Sequence, residues 1–567
     1  MGNTDNVRTR RGPPFMDTVN KTFSRTIKPI SRLLTWYWSA CGVCLILYLS
    51  LYLYSLAKNY KFKPLSPPLR ATESPESLYQ RILQNKLQIK EQLFHQLEQD
   101  FRNQWCRQRK SRVNWEQAMR PCSDNMAWGQ VKPGWDKSQR TSASMSTIYY
   151  QDIRPAREFS RIFIQSRTKD GQIKRIGGDS WRVYLRGPSS IAATVFDHNN
   201  GTYEALFLIM EPGTYTLKVI LDFSLCDGFR DPPIDWFIKG NHQGKEQVEG
   251  MLGYLDDYLH ETTDGQLSIN IAKSRIATPI EGILTQEACG GGCDFLIDGY
   301  GRRINNTDWL PFVKEEDIPR VQSGTGPSGI LISYGDSVAL RFGLSLARNK
   351  KICGELYKSC SYRYNWIYPI VRPKTEMHQN KDDFDFNEDL VIHYISQVLE
   401  QLAMNDTSST LVINLGLHFV MSINFTTYQH FIDKTIGVFL ENQYRVGQNK
   451  SQLNIKTTII WKTTTTVIKE LCSFSSNSTK WRFLTTQRIL LFNSYATWAM
   501  CKAGIPVLDV HPVTDFYPPG EGDGVHYPDS VFSNAERVLE ILKTNEMNGK
   551  KRYDRTTKLP PNPKLRL

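Results

Sequence analysis

A serine, a histidine and an aspartate stand where the residues around them favour nucleophilic chemistry. Ser337 closes a Gly335-Asp336-Ser337 triplet that follows the apolar run Gly329 to Tyr334 and precedes Val338, Leu340, Phe342, Leu344 and Leu346. Asp336 or Ser337 is a good N-cap, so the triplet reads as the turn between a strand and a helix. In such a turn a hydroxyl and a backbone N–H lie at the positive end of a helix dipole, where an oxyanion is favoured. A serine also needs a base. Far along the chain, Gly522-Asp523-Gly524-Val525-His526-Tyr527 sets an Asp before a His in a glycine-rich loop. Asp523 can hold the His526 imidazole in one tautomer while His526 takes the Ser337 proton. A third piece, Asn414-Leu415-Gly416, closes the apolar run Leu411-Val412-Ile413. The Asn414 amide is a candidate donor to an oxyanion beside the Ser337 N–H, and Gly416 and Gly335 are grouped with it as oxyanion or substrate positions. His511, with Asp509 and Asp515 near it, is a competing base. His526 is preferred because its glycine-rich loop lies just before a helix.

The elements that must position these groups alternate. Strands are predicted at 329–334, 361–371, 410–415, 454–461 and 505–510. Helices are predicted at 338–348, 387–404, 428–443, 485–502 and 529–545. Repeated βα units predict a parallel sheet with helices on both faces, and chemistry then gathers at the carboxyl ends of the strands. This domain is expected over 326–546.

Ahead of it, residues 138–240 run in short alternating stretches broken by turns, such as Trp181-Arg182-Val183-Tyr184-Leu185 and Glu204-Ala205-Leu206-Phe207-Leu208-Ile209. That spacing predicts a small β-sandwich. Residues 241–325 are polar and glycine-rich and read as a connecting region packed on the domain after it. Residues 57–137 read as a stem, Pro-rich at first. A helix is expected from about 77 to 119, with Leu78, Ile82, Ile89, Leu93 and Leu97 near one face, suited either to a coiled coil or to packing on its own body.

The chain ends speak about location. Trp36 to Leu56 is free of charge, long enough to cross a bilayer, and aromatic at both ends. The net charge of +13 and pI of about 9.1 suggest a nucleic-acid partner until the charge is located. Residues 1–32 carry seven Lys/Arg against Asp5 and Asp17, and residues 549–567 carry seven against Asp554, so the tails hold +5 and +6. The body is nearly neutral, and no nucleic-acid partner is expected. The basic tail 1–35 favours a cytosolic N-terminus, an anchor at 36–56 and a luminal or extracellular body, with a second basic tail at 547–567. Sequons at Asn200, Asn305, Asn405, Asn424, Asn449 and Asn477 agree with that orientation. The nine cysteines beyond the anchor predict up to four disulfides with one thiol left over. Cys289 and Cys293 are read as disulfide partners rather than metal ligands, and no metal is expected.

These residues also carry a resemblance. Gly335-Asp336-Ser337, Asn414-x-Gly416 and Asp523-x-x-His526 resemble blocks of the SGNH (GDSL-type) hydrolase superfamily. Gly177-Gly178-Asp179, Asp197-His198-Asn199-Asn200-Gly201-Thr202-Tyr203 and Pro212-Gly213-Thr214-Tyr215 resemble a filamin-type immunoglobulin-like repeat. Together, residues 138–546 resemble the neurexophilin and PC-esterase-domain (NXPE) family. The PC-esterase half is also similar to trichome-birefringence-like polysaccharide O-acetyltransferases and to the luminal domain of sialate O-acetyltransferase. The resemblance implies a multidomain chain: a single transmembrane helix, a filamin/immunoglobulin-like β-sandwich, then an α/β/α SGNH-hydrolase-like domain. It implies a single-pass type II protein of the Golgi that moves or removes O-acetyl groups on glycans through an acyl-serine, with a glycan or glycoprotein acceptor. No bound cofactor is expected, but a transferase needs an acyl donor, acetyl-CoA or an acyl-carrying partner. The alternative is a non-catalytic neurexophilin-like surface ligand, its hydrolase fold a scaffold and its protein partner met through the sandwich. Many SGNH enzymes have a further glycine whose N–H serves the oxyanion. No glycine lies between Glu355 and Leu415 here, so a backbone N–H of Tyr364-Asn365-Trp366 is expected to stand in, or the hole has fewer donors.

Overall fold

The structure, a computed structural model, describes residues 75–549 except 130–131, 234–257, 266, 275–288, 290–292, 306–307, 314–317, 321–325, 365–385, 406–407, 449–456, 473–481, 516 and 518–522. The predicted cytosolic tail, anchor, first part of the stem and residues 550–567 of the basic tail lie outside the described residues, as do the sequons at Asn449 and Asn477. Among the described residues no helix is long and apolar enough to cross a membrane.

The alternating stretches form strands β1 (Thr141–Asp152), β2 (Phe159–Thr168), β3 (Ser180–Arg186), β4 (Ser189–Ala192), β5 (Thr194–Asp197), β6 (Thr202–Leu208) and β7 (Gly213–Phe223). One antiparallel sheet runs β1-β2-β6-β5. The other holds β4, β3 and β7 and is widened by β8 (Glu261–Thr262), β9 (Leu267–Ile271), β11 (Gly301–Ile304) and β12 (Asp308–Pro311). Period-two alternation turns Ile162 and Ile164 of β2, Trp181, Val183 and Leu185 of β3, and Tyr203, Ala205 and Phe207 of β6 into one shared core.

Residues 241–325 are therefore more than a connection. They complete the second sheet of the sandwich, and β10 (Phe295–Ile297) crosses into the other domain as an edge strand. The polar, glycine-rich composition hid these strands because each is two to five residues long and lies at or near a sheet edge.

The second domain is an all-parallel sheet in the order β10-β17-β16-β15-β13-β14. Its other strands are β13 (Ile330–Gly335), β14 (Ser359–Tyr364), β15 (Thr410–Ile413), β16 (Thr458–Lys462) and β17 (Val507–Leu508). The strands predicted at 361–371 and 454–461 are shifted, and residues 365–371 and 454–456 lie outside the described residues. β13 and β15 are buried on nearly every residue, as a strand covered on both faces must be. After β13 the chain moves to β14 on one side, then crosses back to β15 on the other. The carboxyl ends of β13 and β15 thus flank a switch in strand order, the place where open α/β sheets leave a crevice.

Helix α1 (Pro75–Ser111) ties the layers together at its C-terminal end. Phe101 and Trp105 are buried against Phe159, Leu206 and Leu208 of the sandwich. Arg107 forks onto Glu204 at 2.9 and 2.7 Å, while Arg112 pairs with Asp298 and Asp509 beyond β10 and β17. A short helix, α2 (Trp115–Met119), comes next. Four disulfides reinforce this assembly: Cys106–Cys289, Cys122–Cys226, Cys293–Cys501 and Cys353–Cys360. Cys289 and Cys293 are disulfide-bonded, each to a different distant partner. Of the sequon asparagines, Asn200 and Asn305 are exposed. Asn424 is half-buried, its Oδ1 accepting the Thr427 N–H at the start of a helix.

Candidate active site

Helix α3 (Ser337–Arg348) begins directly after β13 because Asp336 caps it. Asp336 Oδ1 accepts the Val338 and Ala339 N–H groups at 3.0 and 3.4 Å. Its other oxygen accepts the Leu417 N–H at 3.2 Å, at the start of α5 (Leu417–Ser422; α4 is Glu388–Asn405). One buried carboxylate therefore draws the first turns of two helices together across the ends of β13 and β15. The Ser337 N–H, beside it, has no hydrogen-bond partner among the described residues.

Two glycines make this junction close. Gly335 has φ +150°, and a β-carbon there would lie 2.6 Å from the Asn414 carbonyl oxygen and 2.8 Å from the Ala339 β-carbon. At Gly416 a β-carbon would meet Thr464 Oγ1 at 2.3 Å and Asn414 Oδ1 at 2.6 Å. The two predicted glycines thus let the strand ends pack on each other.

Asp523 and His526 arrive on the loop after β17. Asp523 Oδ1 accepts the Val525 and His526 N–H groups at 3.0 and 2.8 Å, closing an Asx-type turn. Its other oxygen lies 2.6 Å from His526 Nδ1, and His526 Nε2 lies 2.8 Å from Ser337 Oγ. With Nδ1–H donating to the carboxylate, Nε2 is left to accept the serine proton. Burial alone would raise the Asp523 carboxyl. Hydrogen bonds from the His526 side chain and from the His526 and Val525 backbones outweigh it and hold the group below the usual carboxylate range. The anion that orients the imidazole is thus secured.

The structure brings Ser337, Asp523 and His526 together and does not add Asn414 to them as an oxyanion donor. Asn414 is buried, and its amide nitrogen donates to the Lys462 carbonyl at 2.8 Å and to Thr464 Oγ1 at 3.1 Å. An amide nitrogen has two hydrogens, so both are engaged. The Gly416 N–H has no partner among the described residues, and with the Ser337 N–H it is one of two open backbone donors flanking Asp336. Asn365 and Trp366, expected as alternative donors, lie outside the described residues. His511, the competing candidate, is buried in the short helix His511–Thr514, where burial pushes its imidazole down, and it is His526 that lies against Ser337 Oγ. Among the described residues no group of three His, Cys, Asp or Glu is placed to hold a metal ion.

The residue pattern does not announce the support behind Asn414. The run Thr463-Thr464-Thr465-Thr466 comes after β16 and is wholly buried. Thr464 is gripped by Asn493, whose Oδ1 accepts its N–H and whose Nδ2 donates to its carbonyl, both at 2.8 Å. Four threonines at a strand end were the available signal. Lys462 gave no such signal. It is buried, its Nζ donates to the Thr463 carbonyl at 3.4 Å, and burial pushes its ammonium down to about 8 against the attraction of Asp336.

This depression makes stability depend on pH. Between about 8 and the ordinary lysine value of 10.5, the unfolded chain holds a proton that the folded chain has released, so stability rises with pH across that window. The stability of wild type relative to Lys462→Met should climb by up to on the order of 3 kcal/mol over that range. Urea titrations of both chains at several pH values measure it, and a constant difference would refute the assignment.

No protein-family model matches the chain, nor does any curated protein. Among solved structures, it is similar to the Lin-41 filamin domain at 14% identity and TM-score 0.15, over 24% of this chain and 99% of that one. It is also similar to a multi-modular, cell-surface-expressed chitinase from a Paenibacillus strain at 7% identity and TM-score 0.12, over 60% of this chain and 26% of that one.

Proposed function

We propose that the chain is a membrane-anchored, lumen-facing glycan O-acetyltransferase or acetylesterase that works through an acyl-serine. The observation that carries this reading is the continuous hydrogen-bonded path Ser337–His526–Asp523. His526 Nε2 removes the Ser337 proton as Oγ attacks the acyl carbonyl, and the carbonyl electrons move onto oxygen. The Ser337 and Gly416 N–H groups are the candidates to receive that oxyanion; each such donor is typically worth about 3 kcal/mol. When the tetrahedral centre collapses, the imidazolium returns its proton to the departing group, the alkoxide oxygen of an O-acetyl ester or the sulfur of acetyl-CoA. A sugar hydroxyl or water then repeats the attack on the acyl-serine, and Ser337 is regenerated. In a transferase, acetyl-CoA or an acyl-carrying partner would supply the acyl group. The type II orientation is a proposal that rests on residues 1–56 and the sequons, and the Golgi location one that rests on the family resemblance alone.

A serine-directed fluorophosphonate tests the reading at its first step. The folded full-length chain should be labelled at Ser337, located by peptide mass spectrometry, and Ser337→Ala should not be labelled. A folded chain that stays unlabelled would instead support the scaffold alternative, a surface ligand acting through its β-sandwich.

A further inference from the structure

The outer face of the sheet β1-β2-β6-β5 carries aromatic side chains at both ends but is covered by helix α1 at one. Ile162 and Ile164 of β2 enter the sandwich core, so Phe159, Arg161, Phe163 and Gln165 lie on the opposite face. There α1 packs Phe101 and Trp105 against Phe159, Phe196, Leu206 and Leu208, and Arg107 forks onto Glu204. Past Glu204 the rings continue. Phe163, which pairs with Glu204 across β2 and β6, has the Tyr149 and Tyr150 rings at 6.0 and 5.6 Å. The His198 ring is stacked beside it at 6.2 Å and 12°. A β-bulge brings the two tyrosines to one side: Ile148 pairs with Ile164 and Tyr150 with Phe163, which leaves Tyr149 as the extra residue. The tyrosines are 55% and 54% exposed.

The row ends at the turn between β5 and β6, and that turn holds the sequon Asn200-Gly201-Thr202. Its backbone is tied down. Asp197 accepts the Gly178 and Asn199 N–H groups at 2.7 Å each, and the Gly201 carbonyl accepts the Ser166 N–H at 2.9 Å. Asn200 Oδ1 accepts the Thr202 N–H and hydroxyl at 2.9 and 2.7 Å. Asn200 is exposed, and its Nδ2, the atom to which a glycan is joined, has no hydrogen-bond partner among the described residues. His198, two residues before Asn200, shares the ring-bearing face with Phe196, two residues before it. A glycan on Asn200 therefore starts at most about 7 Å of chain from the row.

We propose that Asn200 carries an N-linked glycan whose first N-acetylglucosamine packs on the His198 and Phe163 rings, covering the end of the sheet face beyond α1. A pyranose directs its hydroxyls outward from its rim and presents C–H groups on its faces, which lie against an aromatic ring as a second ring would. The bond forms between Asn200 Nδ2 and C1 of the sugar as the C1–O bond to a lipid diphosphate breaks. The amide gives up one proton to the transferring enzyme, and the lipid diphosphate leaves. This site needs the lumen-facing body proposed above and no chemistry at Ser337.

The full-length chain, expressed in cells with a secretory pathway, tests it. Glycopeptide mass spectrometry should find Asn200 modified. Hydrogen exchange of residues 194–208 is then compared in three forms: intact, trimmed by an endoglycosidase to the first sugar, and freed of sugar by a peptide amidase. The amidase leaves an aspartate whose oxygen can still accept from Thr202. The first two forms should exchange alike, and about two- to tenfold more slowly than the third, the effect of one ring contact on local opening. In His198→Ala, or in Phe163→Leu where the first does not fold, the difference should shrink toward nothing with the glycan still attached. Four results would each overturn the proposal: an unmodified Asn200, equal exchange with and without sugar, protection lost on trimming to the first sugar, or a difference undiminished in a folded ring variant. A glycan on another sequon with none on Asn200 defeats this proposal alone, whereas no glycan on any sequon defeats the lumen-facing reading with it. Fluorophosphonate labelling of Ser337 bears on the catalytic reading and leaves this one standing.

Discussion

Ser337→Ala, expressed at the wild-type level, should leave cellular glycan O-acetylation as it is in cells without the chain. Oγ is the only atom of Ser337 whose loss empties the path to His526, at 2.8 Å from Nε2. Alanine keeps the backbone N–H and the helix start, and Asp336, not Ser337, caps α3. The folded state should therefore be undisturbed while the acyl-serine becomes impossible. Nucleophile removal in a serine triad lowers turnover by roughly 10⁴–10⁶-fold, so any residual rate should fall below detection in cells. Mass spectrometry of released glycans, with and without the protein, reads the result and shows whether acetyl groups are gained or lost. An alanine variant that changes acetylation as wild type does would refute the acyl-serine mechanism.

Asp336→Ala should be the most damaging change to the fold near the site. Asp336 is 3% exposed, and its carboxylate accepts the N–H groups of Val338, Ala339 and Leu417. Alanine strands three buried donors and removes the cap of α3. Cap loss alone is typically about 1 kcal/mol and each stranded buried donor about 1–3, so a total of roughly 3–5 kcal/mol is expected after relaxation. That is a large share of the roughly 5–15 kcal/mol by which domains are stable. Asp336→Asn separates the two roles. Its carbonyl oxygen can still cap α3, but its NH₂ would face the Leu417 N–H, donor against donor. The asparagine variant should fold with a smaller loss while the Gly416 turn drifts from Ser337. Urea unfolding should rank wild type above Asn above Ala. Fluorophosphonate labelling of the Asn variant should slow by about 10²-fold or more, the scale of one lost oxyanion donor. Labelling of Asp336→Asn at the wild-type rate would remove Gly416 from the proposed oxyanion site.

The two changes probe different depths of one junction. Ser337 offers a half-exposed hydroxyl to the crevice, whereas Asp336 lies beneath it and sets where that hydroxyl and the Gly416 turn stand. Behind both, Asn414, Thr464 and Asn493 form a buried polar chain in which both side-chain amides donate to acceptors. Such a chain fixes position when complete and is costly when broken.

The sequence alone determined the pieces whose rules are local. A strand-like apolar run followed by Asp and Ser specifies a capped helix start, because the cap acts within three residues. Asp523 and His526 stand close enough in a tight turn to meet without the rest of the fold. The alternation in β2, β3 and β6 likewise fixed which side chains enter the sandwich core, since the period belongs to the strand itself. Tertiary structure decided the rest. Whether His526 or His511 faces Ser337 depends on strand order, which parallel pairing across long loops sets and residue spacing does not. The short strands at 261–311 exist because neighbouring sheet edges accept them; their own composition does not demand them. Asn414 shows the difference most clearly. Its type and place at a strand end suited an oxyanion donor, yet β16 brings the Lys462 carbonyl and Thr464 within reach of both its hydrogens. A buried amide bonds to what surrounds it, and only the folded chain determines what that is.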